Sequence, residues 1–220
     1  MKPLFDHLLL WHDEVPRSGP ENMAVDEWLL DSLDGTAVLR LYRWAGDWVS
    51  LGYFQSLASA RELFGAGPSY VRRWTGGGVV DHRHDLTYTL VIPREHALAG
   101  RRGNESYCEI HRMIAKCLGE GGVPCGLTTE NSGKKTVACF EKPVAWDLLG
   151  ADGEKIAGAG QRRSRKGILH QGSVQASEGA LNGLAGILSG TCQPFGDFES
   201  GAWSSRVAKY AAASWLERNR

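Results

Sequence analysis

Apolar residues recur at near-helical spacing over residues 21–33, where Met23, Val25, Trp28, Leu29 and Leu33 stand on an acidic background behind Ser18, Gly19 and Pro20. That spacing and that start signal predict a first helix. Over residues 37–44 and 48–54 the side chains alternate or run apolar, β-branched and aromatic, with Ala45, Gly46 and Asp47 between them, so two strands joined as a hairpin are expected. Residues 70–74 and 86–92 predict two further strands on either side of a glycine-rich bend, and Pro93 closes the second. Cys108, Ile110, Met113, Ile114, Cys117 and Leu118 then fall on one helical face, predicting a second helix over 106–120 that ends at Gly121 and Gly122.

Beyond a polar stretch at 128–135, strand-like segments follow at 136–140, 145–149, 155–162 and 168–174, and Ala151-Asp152-Gly153 is a turn signal. The tail from Ala180 reads as mostly helical, most clearly over 206–216. No internal repeat, low-complexity tract or domain-length linker interrupts the chain. The order predicts one α+β domain over residues 1–220, a mixed central sheet flanked by helices.

Composition narrows the function classes. Glycine, at 28 of 220 residues, is the one departure from ordinary globular usage, so disorder, collagen and coiled coil are excluded. Twenty-five basic residues balance twenty-five acidic ones, which leaves no global footprint of a nucleic-acid binder. The apolar stretch Leu8 to Trp11 is far short of the ~20 residues that span a membrane and lacks a signal-peptide pattern, so a cytosolic protein with no membrane partner is expected. Five cysteines without a Cys-x-x-Cys pair suit free thiols rather than a disulfide scaffold or zinc ribbon. His82 and His84 alone are a poor ligand set, and no metal is expected.

Candidate chemistry concentrates in three segments. Gly76, Gly77 and Gly78, between Arg72-Arg73-Trp74-Thr75 and Val79-Val80-Asp81-His82, expose backbone N–H groups that can wrap an anion or a narrow chain; a plain tight turn would look the same. Lys155 opens a strand of small residues, Ile156-Ala157-Gly158-Ala159-Gly160-Gln161, where a ligand can approach the backbone and an ammonium can meet a carbonyl or phosphoryl oxygen. Cys139, between Ala138 and Phe140 with Asp147 downstream, is a packed thiol or a nucleophile. The basic run Arg162, Arg163, Arg165 and Lys166 reads as a solvated loop or as a surface for an acidic protein partner.

Together these segments resemble the biotin/lipoate protein ligase and octanoyltransferase superfamily. The resemblance rests on Arg72-Arg73-x-Thr-Gly-Gly-Gly-Val-Val-x-His82 followed by Asp85-Leu-Thr-Tyr-Thr-Leu-Val-Ile-Pro93, on Lys155-Ile-Ala-Gly-Ala-Gly-Gln161, on Leu169-His-Gln-Gly-Ser173, and on Asn22-Met-Ala-Val-Asp26; it covers about residues 20–190. Two positions depart from the family pattern: Gly158-Ala159-Gly160 stands where Gly-Ser-Ala or Gly-Asn-Ala is usual, and Asp81 where an aromatic residue precedes the histidine.

The resemblance implies an enzyme of protein lipoylation with a biotinyl/lipoyl ligase catalytic fold, the glycine loop and Lys155 lining one elongated apolar groove. Cys139 and Lys155 would be catalytic. Arg73, Gly76, Gly77, Gly78, His82, Asp147, Gly158, Gln161, His170 and Gly172 would bind substrate. Ala-Cys-Phe before an acidic residue and the lysine strand resembles the cysteine-dependent transferases, which need no cofactor and pass an octanoyl or lipoyl group through a Cys thioester. Acyl carrier protein or a lipoyl-domain protein would be the donor. The acceptor would be a lipoyl domain of the glycine cleavage H protein or 2-oxoacid dehydrogenase E2 type. The alternatives are an ATP- and Mg-dependent ligase, disfavoured because the chain runs only to residue 220 without the extra C-terminal domain of many ligases, and a non-catalytic binder of acyl chains or lipoyl domains.

Overall fold

The computed structural model describes residues 1–32, 34–128, 144–196, 199 and 201–218. The chain opens with β1 (Phe5–Arg17), in which buried Phe5, Leu8 and Asp13 alternate with more exposed positions, and turns at Ser18 into α1 (Gly19–Asp31). The Glu21 carboxylate accepts from the Ser18 N–H at 2.9 Å and its hydroxyl at 2.6 Å, and Pro20 sits in the first turn, so the start signal acts just ahead of the apolar periodicity. There follow β2 (Ala37–Trp44), β3 (Trp48–Leu51), α2 (Leu57–Phe64), β4 (Ser69–Arg72), β5 (Val79–Asp81), β6 (Leu86–Pro93), α3 (Ala97–Gly100) and α4 (Gly103–Glu120). The remaining elements are β7 (Gly126–Leu127), β8 (Leu148–Leu149), β9 (Lys155–Arg163), β10 (Gly167–Val174), α5 (Leu184–Leu188), β11 (Ser189–Pro194), α6 (Ser204–Ala211) and α7 (Ala213–Leu216).

Eight strands form a mixed sheet in the order β11-β1-β2-β6-β10-β9-β8-β7, parallel across β11-β1-β2 and antiparallel beyond; β4-β3-β5 form a second, smaller sheet. This is the mixed α+β architecture the residue pattern predicts. Because strand side chains alternate, Leu39 and Leu90 point to the face covered by α4 and α5, where Ile110, Ile114 and Leu184 meet them. Their neighbours Val38 and Val91 point to the other face, against Val25 and Leu29 of α1. Among the described residues no helix is long and apolar enough to cross a membrane.

Three expectations change. The turn at Gly46 is present, with φ of 86°, but β2 and β3 do not form a hairpin. Both edges of β2 are already taken by β1 and β6, so the chain leaves the sheet and β3 pairs with β4 and β5. The tail is not continuously helical, because residues 189–194 form β11 alongside β1. The strand expected over 145–149 is only β8, preceded by Trp146 at φ 76°. The strand expected over 136–140 lies outside the described residues.

Candidate active site

The two glycine-rich segments meet where the small sheet lies over the large one. A methyl group on Gly160 would overlap the Gly76 carbonyl, and one on Gly52 would overlap that of Gly77, so the loop is seated between two backbones without side chains. Gly77 takes φ of 95°, which a Cβ would strain. Arg73 sets the loop's shape: Nη2 donates to the Gly78 carbonyl at 2.9 Å and to that of Gly76 at 3.3 Å, while Nη1 donates to the Ser50 carbonyl at 2.9 Å and its Oγ at 2.6 Å.

A buried polar chain anchors the loop to α1. Thr75 Oγ1 donates to Gln171 Oε1 at 2.7 Å, and Gln171 Nε2 donates to Asp26 Oδ2 at 2.6 Å. Asp26 also accepts from Thr89 Oγ1 at 2.8 Å and from Arg40 Nη1 at 2.7 Å; Arg40 in turn reaches Asp13 and Asn22 Oδ1, each at 2.7 Å. Thr75, Asp26, Thr89, Arg40 and Asn22 are fully buried. Charges survive there because every one is paired and hydrogen-bonded. The Asn22 to Asp26 motif thus holds the loop through Gln171.

Between loop and sheet runs a narrow slot of about 20 Å³ lined by Arg73, Val80, His82, Lys155, Gly158 and Gly172, with Tyr42 and Trp44 at the β2 side. A wider, open cleft of about 540 Å³ lies beyond Tyr42 and Thr87, lined by His12, Glu14, Arg43 and Glu178. The cationic and imidazole side chains converge in the slot. Trp44 stacks on His82 with ring centroids 4.1 Å apart. His82 bonds Ser50 Oγ through Nε2 at 2.5 Å and Asp85 Oδ2 through Nδ1 at 2.8 Å. The Asp85 carboxylate can only accept, so Nδ1–H faces it, and in the neutral ring Nε2 accepts from Ser50 Oγ, which itself accepts from Arg73. The bonding order is that of a Ser-His-Asp hydrolase, but Ser50 is fully buried and engaged by Arg73, which makes it a brace for the loop.

At the other side of the slot, Lys155 Nζ lies 2.8 Å from Asp147 Oδ2, both side chains buried. A methyl on Gly158 would overlap the end of the lysine side chain, so the small residue is what lets the lysine cross its own strand. Gly158→Val should therefore displace Lys155 from Asp147 and cut turnover by at least about tenfold, with the substrate KM less affected; steady-state kinetics of the folded variant check this.

Of the predicted site residues, Arg73, His82, Lys155, Gly158 and Gly172 line the slot and Gly76 to Gly78 form the loop. Asp147 is the lysine's partner. Gln161 and His170 lie toward α4: Gln161 Nε2 meets His170 Nδ1 at 2.9 Å, and His170 Nε2 meets Tyr88 Oη at 2.9 Å. Cys139 lies outside the described residues. Thr75, Gln171 and Asp85 stand inside the quoted motifs but are not among the predicted site residues, whereas Ser50 and Tyr107 carry site contacts that no motif signalled.

Behind the slot His111 is wholly buried, its ring 4.1 Å from that of Tyr107 and 5.6 Å from that of His170; burial holds its pKa at about 4. His170 is pushed well below the ordinary value by the same cause. A histidine depressed in the folded state is protonated first in the unfolded chain, so its stabilising effect is present above about 6.5 and is lost as pH falls toward about 4. For His111 alone the full loss is about 3 kcal/mol. Urea unfolding between these limits should show His111→Phe losing less stability with acid than the parent; identical pH slopes would disprove it.

Residues 18–207 match the family model of the lipoyl protein ligase A/B catalytic domain. Octanoyltransferase LipM of Symbiobacterium thermophilum is 38% identical over 175 residues, covering 74% of this chain and 63% of that protein. Octanoyltransferase LipM of Staphylococcus aureus is 34% identical over 171 residues, 70% of this chain and 60% of that protein. The chain thus spans less than two thirds of the length of these relatives. Among solved structures, lipoate-protein ligase A bound with ATP superposes with TM-score 0.74 at 19% identity, over 96% of this chain and 98% of that one. A bi-partite lipoate protein ligase of Thermoplasma acidophilum, from a study that includes its E2 lipoyl domain, does so with TM-score 0.68 at 18% identity, over 100% and 99%. These two likenesses are of fold.

Proposed function

From the premise that this chain belongs to the lipoyl protein ligase A/B catalytic-domain family, we propose that it is an acyltransferase of protein lipoylation. It moves an octanoyl group from an acyl carrier protein or lipoyl-domain protein, through a thioester on Cys139, to a lysine of a lipoyl domain. The observation that carries the reading is the buried Lys155–Asp147 pair beside a narrow slot lined by Arg73, the residue that shapes the glycine loop, while Gly76 to Gly78 themselves stand outside its lining, in a chain whose relatives are named octanoyltransferases.

The slot, which at about 20 Å³ holds little more than a water, widens to admit the acyl chain, and the Lys155 ammonium meets the carbonyl oxygen as negative charge develops on it. The Cys139 thiolate attacks the donor thioester; the tetrahedral adduct collapses with release of the donor thiolate, which takes up a proton. The acceptor's neutral lysine amine then attacks the enzyme thioester, an amide forms, the Cys139 thiolate leaves, and the amine gives up its proton. No ATP enters either step.

The test is incubation with octanoyl carrier protein in the absence of ATP, followed by intact mass measurement. An adduct of one octanoyl group that is discharged by a lipoyl domain is expected. No adduct, with transfer from free octanoate only when ATP and Mg are added, would make the protein a ligase.

A further inference from the structure

We propose that Tyr107, which no sequence motif marks, is a positioning residue that orients the Asp147 carboxylate and through it the Lys155 ammonium. The inference rests on the reading of Lys155 as the group that meets the acyl carbonyl. Pairing of β8 with β9 runs only from Leu149↔Lys155 to Leu148↔Ala157. Just past that pairing, the Ala159 N–H donates at 2.9 Å to the Tyr107 hydroxyl on α4. A hydroxyl that accepts there has one proton to give, and the Asp147 Oδ1 lies at 2.5 Å while the Ala159 carbonyl is at 3.4 Å. The proton goes to the carboxylate.

The second carboxylate oxygen, Oδ2, accepts from Lys155 Nζ at 2.8 Å and from the Val144 N–H at 2.8 Å. Each oxygen therefore has its own partners, and the carboxylate has no free rotation with which to follow the lysine. Burial, with the Asp147 charge beside it, holds the Tyr107 phenol well above its ordinary pKa, so the donor keeps its proton. The ring itself is held between His111, at 4.1 Å, and His170, at 5.5 Å. One side chain thus ties α4, the stretch of β9 beyond its pairing with β8, and the Lys155–Asp147 pair together.

Tyr107→Phe keeps the ring and removes the hydroxyl. Turnover in octanoyl transfer should fall about tenfold with KM for the donor nearly unchanged. In an Asp147→Asn background the same substitution should cost nothing further, since the hydroxyl acts through the carboxylate. Independently of activity, the 15N ammonium resonance of Lys155, assigned by its loss in Lys155→Arg, should shift or broaden. An unchanged resonance or additive losses in the two backgrounds would each overturn the inference. Full turnover in Lys155→Ala would instead overturn the reading of function, a separable result. Should Tyr107→Phe fail to fold, 3,5-difluorotyrosine incorporated at position 107 must shift the same resonance for the inference to stand.

Discussion

Serine in place of Cys139 should abolish ATP-independent octanoyl transfer and the covalent acyl adduct together. A thiolate attacks a thioester readily and leaves readily again, whereas a serine hydroxyl needs a base to attack and would form an oxyester that an amine discharges slowly. The other thiols offer no substitute. Burial pushes the thiols of Cys108, Cys117 and Cys125 above the ordinary cysteine value, which leaves little thiolate at neutral pH, and Cys192, though exposed, lies on the edge strand β11 rather than in the slot lining. Mass spectrometry of the variant after exposure to octanoyl carrier protein is the measurement. Undiminished activity that requires ATP would transfer the protein to the ligases.

The second large effect is expected at Lys155, where alanine should lower turnover by on the order of 10² to 10³, the usual loss for one oxyanion donor. The variant leaves Asp147 buried without its main partner, and breaking a buried pair commonly costs about 3–5 kcal/mol. Turnover must therefore be compared in protein shown to be folded by thermal unfolding. The Lys155→Ala, Asp147→Asn double variant, which removes the orphaned charge, should recover stability without recovering turnover. Wild-type rates in either variant would remove the lysine from the mechanism.

Elements whose cue is local were legible in the sequence. The helices at 19–31 and 103–120 and the strands at 37–44, 86–93 and 155–163 follow from periodicity and punctuation within each segment. What escaped depends on partners far along the chain. The turn at Gly46 looks like a hairpin until β1 and β6 occupy both edges of β2. Residues 189–194, with Gly190 and Pro194 among them, have little strand character of their own and become β11 by lying beside β1. Leu8 to Trp11 reads as a short apolar run, and it becomes part of β1 through pairing with β2 and β11 on either side.

The site divides in the same way. Glycine where a loop must touch a strand, and a lysine at the head of a strand of small residues, are signals that sequence carries. Tyr107 and Ser50 are ordinary residues on ordinary elements; only the packing of α4 and the small sheet against the large one brings their hydroxyl groups to Asp147 and His82 beside the slot. Gln161 and His170 were grouped with substrate by motif, and their observed bonds to each other and to Tyr88 place them in the layer beneath α4.

The parallel pairing of β1 with β11 joins Phe5 to Ser189 and Leu10 to Pro194. Closing that contact confines almost the whole chain in one loop, among the costliest contacts in entropy that this topology contains. It yields little in return until the loop's interior is already ordered, so β1 waits, paired with β2 alone, while the antiparallel centre assembles from neighbours such as β9 and β10. During synthesis on the ribosome the wait is longer still, since β11 emerges only after every residue of the slot. Until then β1 presents an edge of unpaired backbone N–H and C=O groups along Leu8, Leu9 and Leu10, a template on which another strand can pair.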